Sequence, residues 1–197
     1  MKNKNKKYAS GFSIVELIVI MAIIGIMSSV VIVNMRSTDN ISRTMAAQRE
    51  VTSAIRLVQN YALQGKTQPN GAAIQAPCGY GIVVLDATHY RLFYNFFQSG
   101  GGRTDCGSQN NNSNYRTYNV GSFGKSAVLS DNTLPTRVSF DPTSLNKSIF
   151  FTLPSGGMFD GATGSNFAGM SIGLGVSGDA TSAKTVVVGI GGTVSEL

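Results

Sequence analysis

The sequence predicts an α+β protein in which one long N-terminal α-helix packs on a C-terminal antiparallel β-sheet domain. An apolar run of 22 residues, 12–33, opens the predicted helix. Beyond it the chain has no Gly or Pro before Gly65, and apolar residues recur at helical spacing. After Pro77, short runs rich in β-branched and aromatic residues alternate with turn residues, which is typical of strands. At 197 residues the chain has about the length of one domain.

A short basic segment, residues 1–11, precedes the apolar run. It holds four of the 16 Lys and Arg residues of the chain, Lys2, Lys4, Lys6 and Lys7. Without this segment the chain has 12 basic and 10 acidic residues, so its formal net charge falls from +6 to +2. A net charge this low gives little support to a nucleic-acid-binding function. The positive-inside rule places this segment in the cytoplasm and the rest of the chain outside it.

Residues 12–34 are predicted to cross the cytoplasmic membrane once, because about 20 apolar residues span its hydrocarbon core. A secretory signal peptide has a shorter apolar region and a small-residue cleavage site, and neither is present here. A plain signal anchor stays open as an alternative. However, the one charge of the run is Glu16, and a carboxylate in the bilayer costs about 2.5 to 3.5 kcal/mol on insertion scales. If the chain began at Phe12, its α-amino group would lie one helical turn from this acid.

Residues 11–17, with the sequence GFSIVEL, resemble the type IV prepilin motif. In that family a membrane peptidase cuts after the Gly and methylates the new N-terminal Phe. The acid at the fifth mature position neutralises the α-amino group of a neighbouring subunit in the filament. The resemblance implies a pilin-like fold, cleavage between Gly11 and Phe12, N-methylation of Phe12 and an assembly role for Glu16. It also implies a prepilin peptidase and other pilin or pseudopilin subunits as partners, and a pilus or pseudopilus as the final location.

Residues 35–64 are predicted to continue the helix in amphipathic form. Four apolar residues recur at the spacing i, i+4, i+7 and i+11, namely Val51, Ile55, Val58 and Ala62. This stripe is expected to face the β domain. Gly65 suits a helix end, and Pro69 prevents the helix from resuming.

Residues 65–197 are predicted to form a globular β domain of about six to eight antiparallel strands. The strand-like runs are GYGIVVL, HYRLFYNFF, TRVSF, SIFFTL, MSIGL and KTVVVGI. Residues 86–88 suit a hairpin, residues 154–157 suit a turn, and Gly191 and Gly192 precede a short terminal strand. The Phe-rich strand, the Gly turn and the final VVV-x-x-x-G-x-V pattern resemble the H-type pseudopilin and minor pilin (GspH/FimT-like) family.

Cys78 and Cys106 are predicted to form a disulfide. They lie in a Gly- and Asn-rich stretch without the repeated Cys/His spacing of a zinc site, although two unrelated buried thiols remain an alternative. Closing a loop of roughly 29 residues would stabilise the fold by about 3 to 4 kcal/mol. Residues 98–114, around Cys106, are a candidate recognition loop, and a solvated surface without a partner is the other interpretation.

The sequence offers no convincing catalytic centre. Residues 169–173 fit the G-x-S-x-G pattern, but a nucleophile elbow needs a following helix and a later His, and the single histidine is His89. Residues 173–178 mimic a dinucleotide fingerprint without room for the helix that must follow. We assign both stretches to turns between strands and give His89 no role. The predicted protein is therefore not an enzyme and has neither a metal nor a cofactor site.

These observations predict a structural subunit, a minor pilin or pseudopilin, of a type IV pilus or a type II secretion-like filament. The alternative is a minor pilin of an uptake pilus that captures DNA weakly through converging arginines, namely Arg91, Arg103, Arg116 and Arg137. Arginine side chains are suited to contact DNA phosphates, but the low net charge of the cleaved chain argues against DNA capture.

Overall fold

The computed structural model describes residues 13–70, 73–96, 106, 116–118 and 126–197, with the backbone alone for residues 30–37, 70 and 73. The chain divides into two compact units, residues 1–39 and residues 40–197. The described part contains one α-helix and eleven β-strands.

The helix α1 runs over Ile14–Gln64 and ends where the sequence predicts. Gly65 follows with φ 63°, the left-handed conformation that glycine adopts without strain. The Gly65 N–H donates to the Ala62 carbonyl at 3.2 Å, and the Lys66 N–H donates to the Tyr61 carbonyl at 3.1 Å. These two bonds form a Schellman motif, which satisfies carbonyls that the helix end leaves free.

The strands form three antiparallel sheets within the described residues. In chain order the strands are β1 (Gln68–Asn70), β2 (Ala73–Gln75), β3 (Gly79–Val84), β4 (His89–Asn95), β5 (Ala127–Thr133), β6 (Val138–Phe140), β7 (Ser148–Thr152), β8 (Met158–Asp160), β9 (Met170–Val176), β10 (Asp179–Val188) and β11 (Val194–Glu196). Strands β1 and β2 pair as a hairpin, a five-stranded sheet has the order β5-β4-β3-β7-β8, and a four-stranded sheet has the order β11-β10-β9-β6.

The predicted count of six to eight strands is too low, because four strands lack a clear apolar pattern. Strands β1, β2 and β8 have three residues each, and β5, at the edge of its sheet, has the sequence AVLSDNT, whose last four residues are polar. The assignment of residues 169–178 to turns is also wrong for most of these residues. Residues 170–176 are strand β9, and the turn is limited to Ser177 and Gly178.

The main core lies between the second half of α1 and the inner faces of the two larger sheets. The predicted helical stripe is confirmed, since Val51, Ile55, Val58 and Ala62 are each 0% exposed. They share one cluster with alternate residues of the strands, including Tyr80, Ile82, Val84, Tyr90, Leu92, Ile149, Phe151, Ile172, Leu174, Val186 and Val188. Residues at helical spacing on α1 and alternate residues on the strands therefore form one core, which confirms the α+β class.

The opposite face of the five-stranded sheet carries a second, smaller core that we call the outer aromatic cluster. Its buried members are Val83, Phe93 and Phe150, and Leu85, Tyr118 and Phe159 pack against them. On this face Gly81 pairs with Phe93 in β4 and with Phe150 in β7. A Cβ on Gly81 would lie 2.4 Å from Cζ of Phe93, so the close approach of the rings requires glycine there.

Cys78 and Cys106 form the predicted disulfide in the structure, with their Cα atoms 5.5 Å apart. Cys78 lies directly before β3, and its N–H donates to the Asn95 carbonyl at 2.8 Å. The candidate recognition loop, residues 98–114, lies outside the described residues except for Cys106. The alternative of two unrelated thiols is wrong for this structure.

Candidate functional site

The predicted processing and assembly residues lie at the N-terminal end of α1. Gly11 and Phe12, together with the leader 1–11, lie outside the described residues. Glu16 lies in the first turn of the helix with an exposed side chain. Its backbone N–H donates to the Ser13 carbonyl at 3.1 Å, which closes that turn. The Glu16 carboxylate therefore lies at the positive end of the helix dipole.

The first part of α1 is an exposed apolar surface. Every residue over 13–29 is exposed. Eleven of these are large apolar residues, with exposures from 43% to 80%, namely Ile14, Val15, Leu17, Ile18, Val19, Ile20, Met21, Ile23, Ile24, Ile26 and Met27. A helix that is apolar all round is stable when lipid or other helices cover it. This stretch therefore has the composition of a helix that lipid or other helices cover.

In the part of the chain that the structure describes, no helix meets the length and hydropathy of a membrane-crossing segment. The predicted span, residues 12–34, includes Phe12 and the side chains of residues 30–34, which lie outside the described set. Insertion of this segment in a membrane stays a prediction.

Polar side chains of α1 hold the C-terminal end of the chain against the helix. Gln48 is 4% exposed, and its Nε2 donates to the carbonyls of Thr185 at 2.9 Å and Leu197 at 3.1 Å. The Arg56 guanidinium donates to the Val194 carbonyl at 3.2 Å. Sequence reasoning misses Gln48, because a glutamine at a buried helical position has no local signal and its acceptors are distant in sequence.

Two tyrosines of the five-stranded sheet also bond to the helix and its C-terminal end. The Tyr90 hydroxyl donates to a Glu50 carboxylate oxygen at 2.8 Å, and the Tyr80 hydroxyl donates to the Lys66 carbonyl at 2.8 Å. Burial, and then the bond to Glu50, raise the pKa of Tyr90 far above its ordinary value. Burial also raises the pKa of Tyr80. Both phenols therefore stay neutral donors at physiological pH.

Two of the arginines predicted to converge on DNA have partners inside the chain. The Arg91 guanidinium forms a two-point ion pair with Asp131, one contact of which is 3.0 Å, and it donates to the Tyr118 hydroxyl as well. The hydrogen bond to Asp131 is the main cause that raises the pKa of Arg91. Arg116 stacks on Phe159, with its guanidinium carbon 3.7 Å from the ring centroid.

Of the other two predicted arginines, the structure describes one. Arg103 lies outside the described residues, and Arg137 lies just before β6 with φ 76°. The pairing of Arg91 with a carboxylate argues against DNA capture, because a neutralised cation releases few counterions on binding phosphate. A DNA-binding face made by all four arginines stays a prediction.

His89 lies in the β3–β4 hairpin, next to the turn predicted at residues 86–88. Asp86 accepts hydrogen bonds from the backbone N–H of Thr88 at 2.7 Å and of His89 at 2.9 Å, and its carboxylate is 2.9 Å from Nδ1 of His89. These bonds, led by that from Thr88, lower the pKa of Asp86 to about 2. Among the described residues, no group of three or more His, Cys, Asp or Glu side chains is arranged to hold a metal ion.

Comparison with known proteins gives one family match and two structural likenesses. Residues 6–32 match the family model of the prokaryotic N-terminal methylation motif. No curated protein sequence matches the chain. Two crystal structures of the type IV minor pilin FimU from Pseudomonas aeruginosa PAO1 are similar at 10% identity. The P65 form covers 78% of this chain and 91% of its own, with a TM-score of 0.43, and the P21 form covers 78% and 87%, with a TM-score of 0.45.

The family match confirms the resemblance of the GFSIVEL sequence to an N-terminal methylation motif. The matched stretch contains Gly11, Phe12 and Glu16 in the order that the prepilin motif requires. Prepilins supply the building blocks of filaments, so the match agrees with a structural protein rather than an enzyme. The N-terminal part of the chain therefore carries a prokaryotic methylation motif like that of type IV prepilins, and this motif leads into a long helix that packs, in its second half, on antiparallel β-sheets.

Proposed function

We propose that the chain is a minor pilin or pseudopilin, a structural subunit of a type IV pilus or a type II secretion-like filament. The observation that carries the proposal is the match of residues 6–32 to the methylation motif. A prepilin peptidase cuts between Gly11 and Phe12 and methylates the new N-terminus. The β domain lies outside the cytoplasm, and the subunit waits in the cytoplasmic membrane before it enters the filament.

The exposed apolar surface of residues 14–29 supports assembly through the helix. Burial of one large apolar side chain contributes about 1.5 to 3 kcal/mol, and eleven such side chains are exposed in the single chain. Lipid covers this surface before extraction, and the helices of other pilin or pseudopilin subunits cover it afterwards. The same apolar side chains therefore contact lipid in the membrane and neighbouring helices in the filament.

Glu16 supports a fixed register between subunits. It is the single charged residue between Phe12 and Arg36, so within the apolar core its carboxylate needs a cation from outside its own helix or from the chain terminus. The methylated α-amino group of Phe12 on a neighbouring subunit is that cation. Because one pair forms for each subunit, the pair sets the axial step of the filament.

Processing is tested by the intact mass and the N-terminal sequence of the full chain, expressed with and without a prepilin peptidase. The parent should begin at methylated Phe12 only when the peptidase is present, and Gly11→Ala should stay uncut. Gly25→Ala is the matched control, because a Cβ at Gly25 meets nothing within 4 Å and the residue lies away from the cleavage site. A parent chain that stays uncut would overturn the proposal and leave an anchored β domain.

Assembly is tested separately, by the amount of subunit recovered in sheared filaments. Glu16→Gln keeps the size of the side chain and removes its charge, so we expect normal cleavage and loss from the filament fraction. Glu196→Gln is the matched control, since Glu196 is an exposed acid on β11. Recovery of Glu16→Gln at the parental level would show that the charge does not set the register.

A further inference from the structure

We propose that residues 116–118 form a non-covalent latch that covers the outer aromatic cluster, and that this latch works independently of the Cys78–Cys106 disulfide. The latch is a structural device of the β domain and does not depend on the filament function proposed above. It holds residues 116–118 on the sheet, ten positions after the disulfide-linked Cys106 in the sequence.

The outer aromatic cluster needs a cover because it lies on the sheet face opposite α1. Phe93 and Phe150 are each 0% exposed, although their neighbours in β3 on this face include Gly79 and Gly81, which have no side chains to shield them. The Tyr118 ring packs edge-on against Phe93 with 5.1 Å between centroids. The latch therefore supplies apolar surface that the strands themselves lack.

Hydrogen bonds from the backbone and from side chains hold the latch in place on both the β4 and the β8 side. The Asn95 side-chain amide, at the end of β4, donates to the Thr117 carbonyl at 2.9 Å, and Asn95 is 2% exposed. The Tyr118 hydroxyl accepts a hydrogen bond from Arg91. The Tyr118 N–H donates to the Gly161 carbonyl at 3.0 Å, directly after β8. Bonds on both sides make this a specific position and not a loose contact.

Arg116 completes the attachment on the β8 side. Its guanidinium lies 3.7 Å from the centroid of the Phe159 ring, a cation–π geometry. In the sheet order, β4 and β8 are separated by β3 and β7. Residues 116–118 therefore contact both flanks of the two strands that carry Gly81 and Phe150. The disulfide, by contrast, joins the chain at Cys78, before β3.

The test measures the rate of trypsin cleavage after Arg116 in the full chain, held in a mild detergent, with fragments identified by mass. Cleavage of a folded protein follows the population of the locally opened state. We expect Tyr118→Ala, with the disulfide intact, to speed cleavage at this site by about tenfold or more. Opening the disulfide with the Cys78→Ser and Cys106→Ser pair should change the rate by less than about threefold.

Tyr118→Phe is the matched variant, because it keeps the ring against Phe93 and loses the hydroxyl that Arg91 contacts. Its rate should fall between those of the parent and Tyr118→Ala. Hydrogen exchange of residues 40–64 serves as the folding reference, and exchange of residues 79–84 reports whether the cluster is uncovered. Equal acceleration by the cysteine pair and Tyr118→Ala, or a parental rate in Tyr118→Ala, would overturn the proposal. If residues 40–64 lose protection from hydrogen exchange in Tyr118→Ala, the cleavage rate of Tyr118→Phe is compared with that of the cysteine pair instead. A parental rate in Tyr118→Phe, or a rate equal to that of the cysteine pair, would then overturn the proposal.

Discussion

Replacement of Ile55 by Ala is the most direct test of the packing between α1 and the β domain. Ile55 is 0% exposed and belongs to the main core cluster. The change removes three carbon groups, and at about 0.8 kcal/mol for each the lost burial is about 2.4 kcal/mol. A cavity that does not collapse adds about 2 kcal/mol more. We expect the free energy of unfolding to fall by about 2.4 to 4.5 kcal/mol, a large part of the stability of an ordinary domain.

The assay is urea unfolding of the full chain in a mild detergent, followed by the near-ultraviolet circular dichroism of its tyrosines, because the chain has 7 Tyr and no Trp. Ser53→Ala is the matched control. Ser53 is exposed on the same helix, so its replacement should change stability by less than about 0.5 kcal/mol. Ile55→Val should cost about 0.5 to 1.5 kcal/mol. A loss below about 1 kcal/mol in Ile55→Ala would refute the packing described above.

Three further predictions concern the β domain. In Gly81→Ala the new Cβ would lie 2.4 Å from Phe93, so urea unfolding should show a loss of about 1 to 3 kcal/mol, whereas Gly191→Ala, where a Cβ meets nothing within 4 Å, should be near neutral. The folded pKa of Tyr90 is raised, so its contribution to stability is present below the ordinary tyrosine pKa of about 10 and is lost as pH rises above it. Tyr90→Phe should therefore weaken the alkaline decline of the urea midpoint, and an unchanged decline would count against the buried phenol. The folded pKa of Asp86 is lowered to about 2, so its contribution is present above about pH 4 and is lost as pH falls toward 2. Asp86→Asn should remove that part of the acid dependence, and a parental acid profile would contradict it.

The β domain shows where sequence patterns stop predicting strands. Central strands such as β3 and β7 are buried and rich in apolar residues, so their runs are visible in the sequence. Edge strand β5 has only partly buried and exposed positions, and its second half carries Asp131 and Asn132, so its apolar run is limited to three residues. Its strand conformation comes from pairing with β4, a partner more than 30 residues earlier in the chain. Pairing of this kind depends on neighbours in space and not on the local sequence.

Features that depend on consecutive residues could be predicted from the sequence. The GFSIVEL motif, the apolar run after it, the buried stripe on α1 and the helix end at Gly65 are each encoded within a few turns of chain, where composition and spacing are enough. Contacts between groups that are distant in the sequence are visible in the folded chain alone. Gln48 bonds to Leu197, and Arg91 bonds to Asp131 and Tyr118, across separations of 149, 40 and 27 residues. Those contacts follow from the way the sheets and the helix pack together, and no local pattern in a single sequence carries that information.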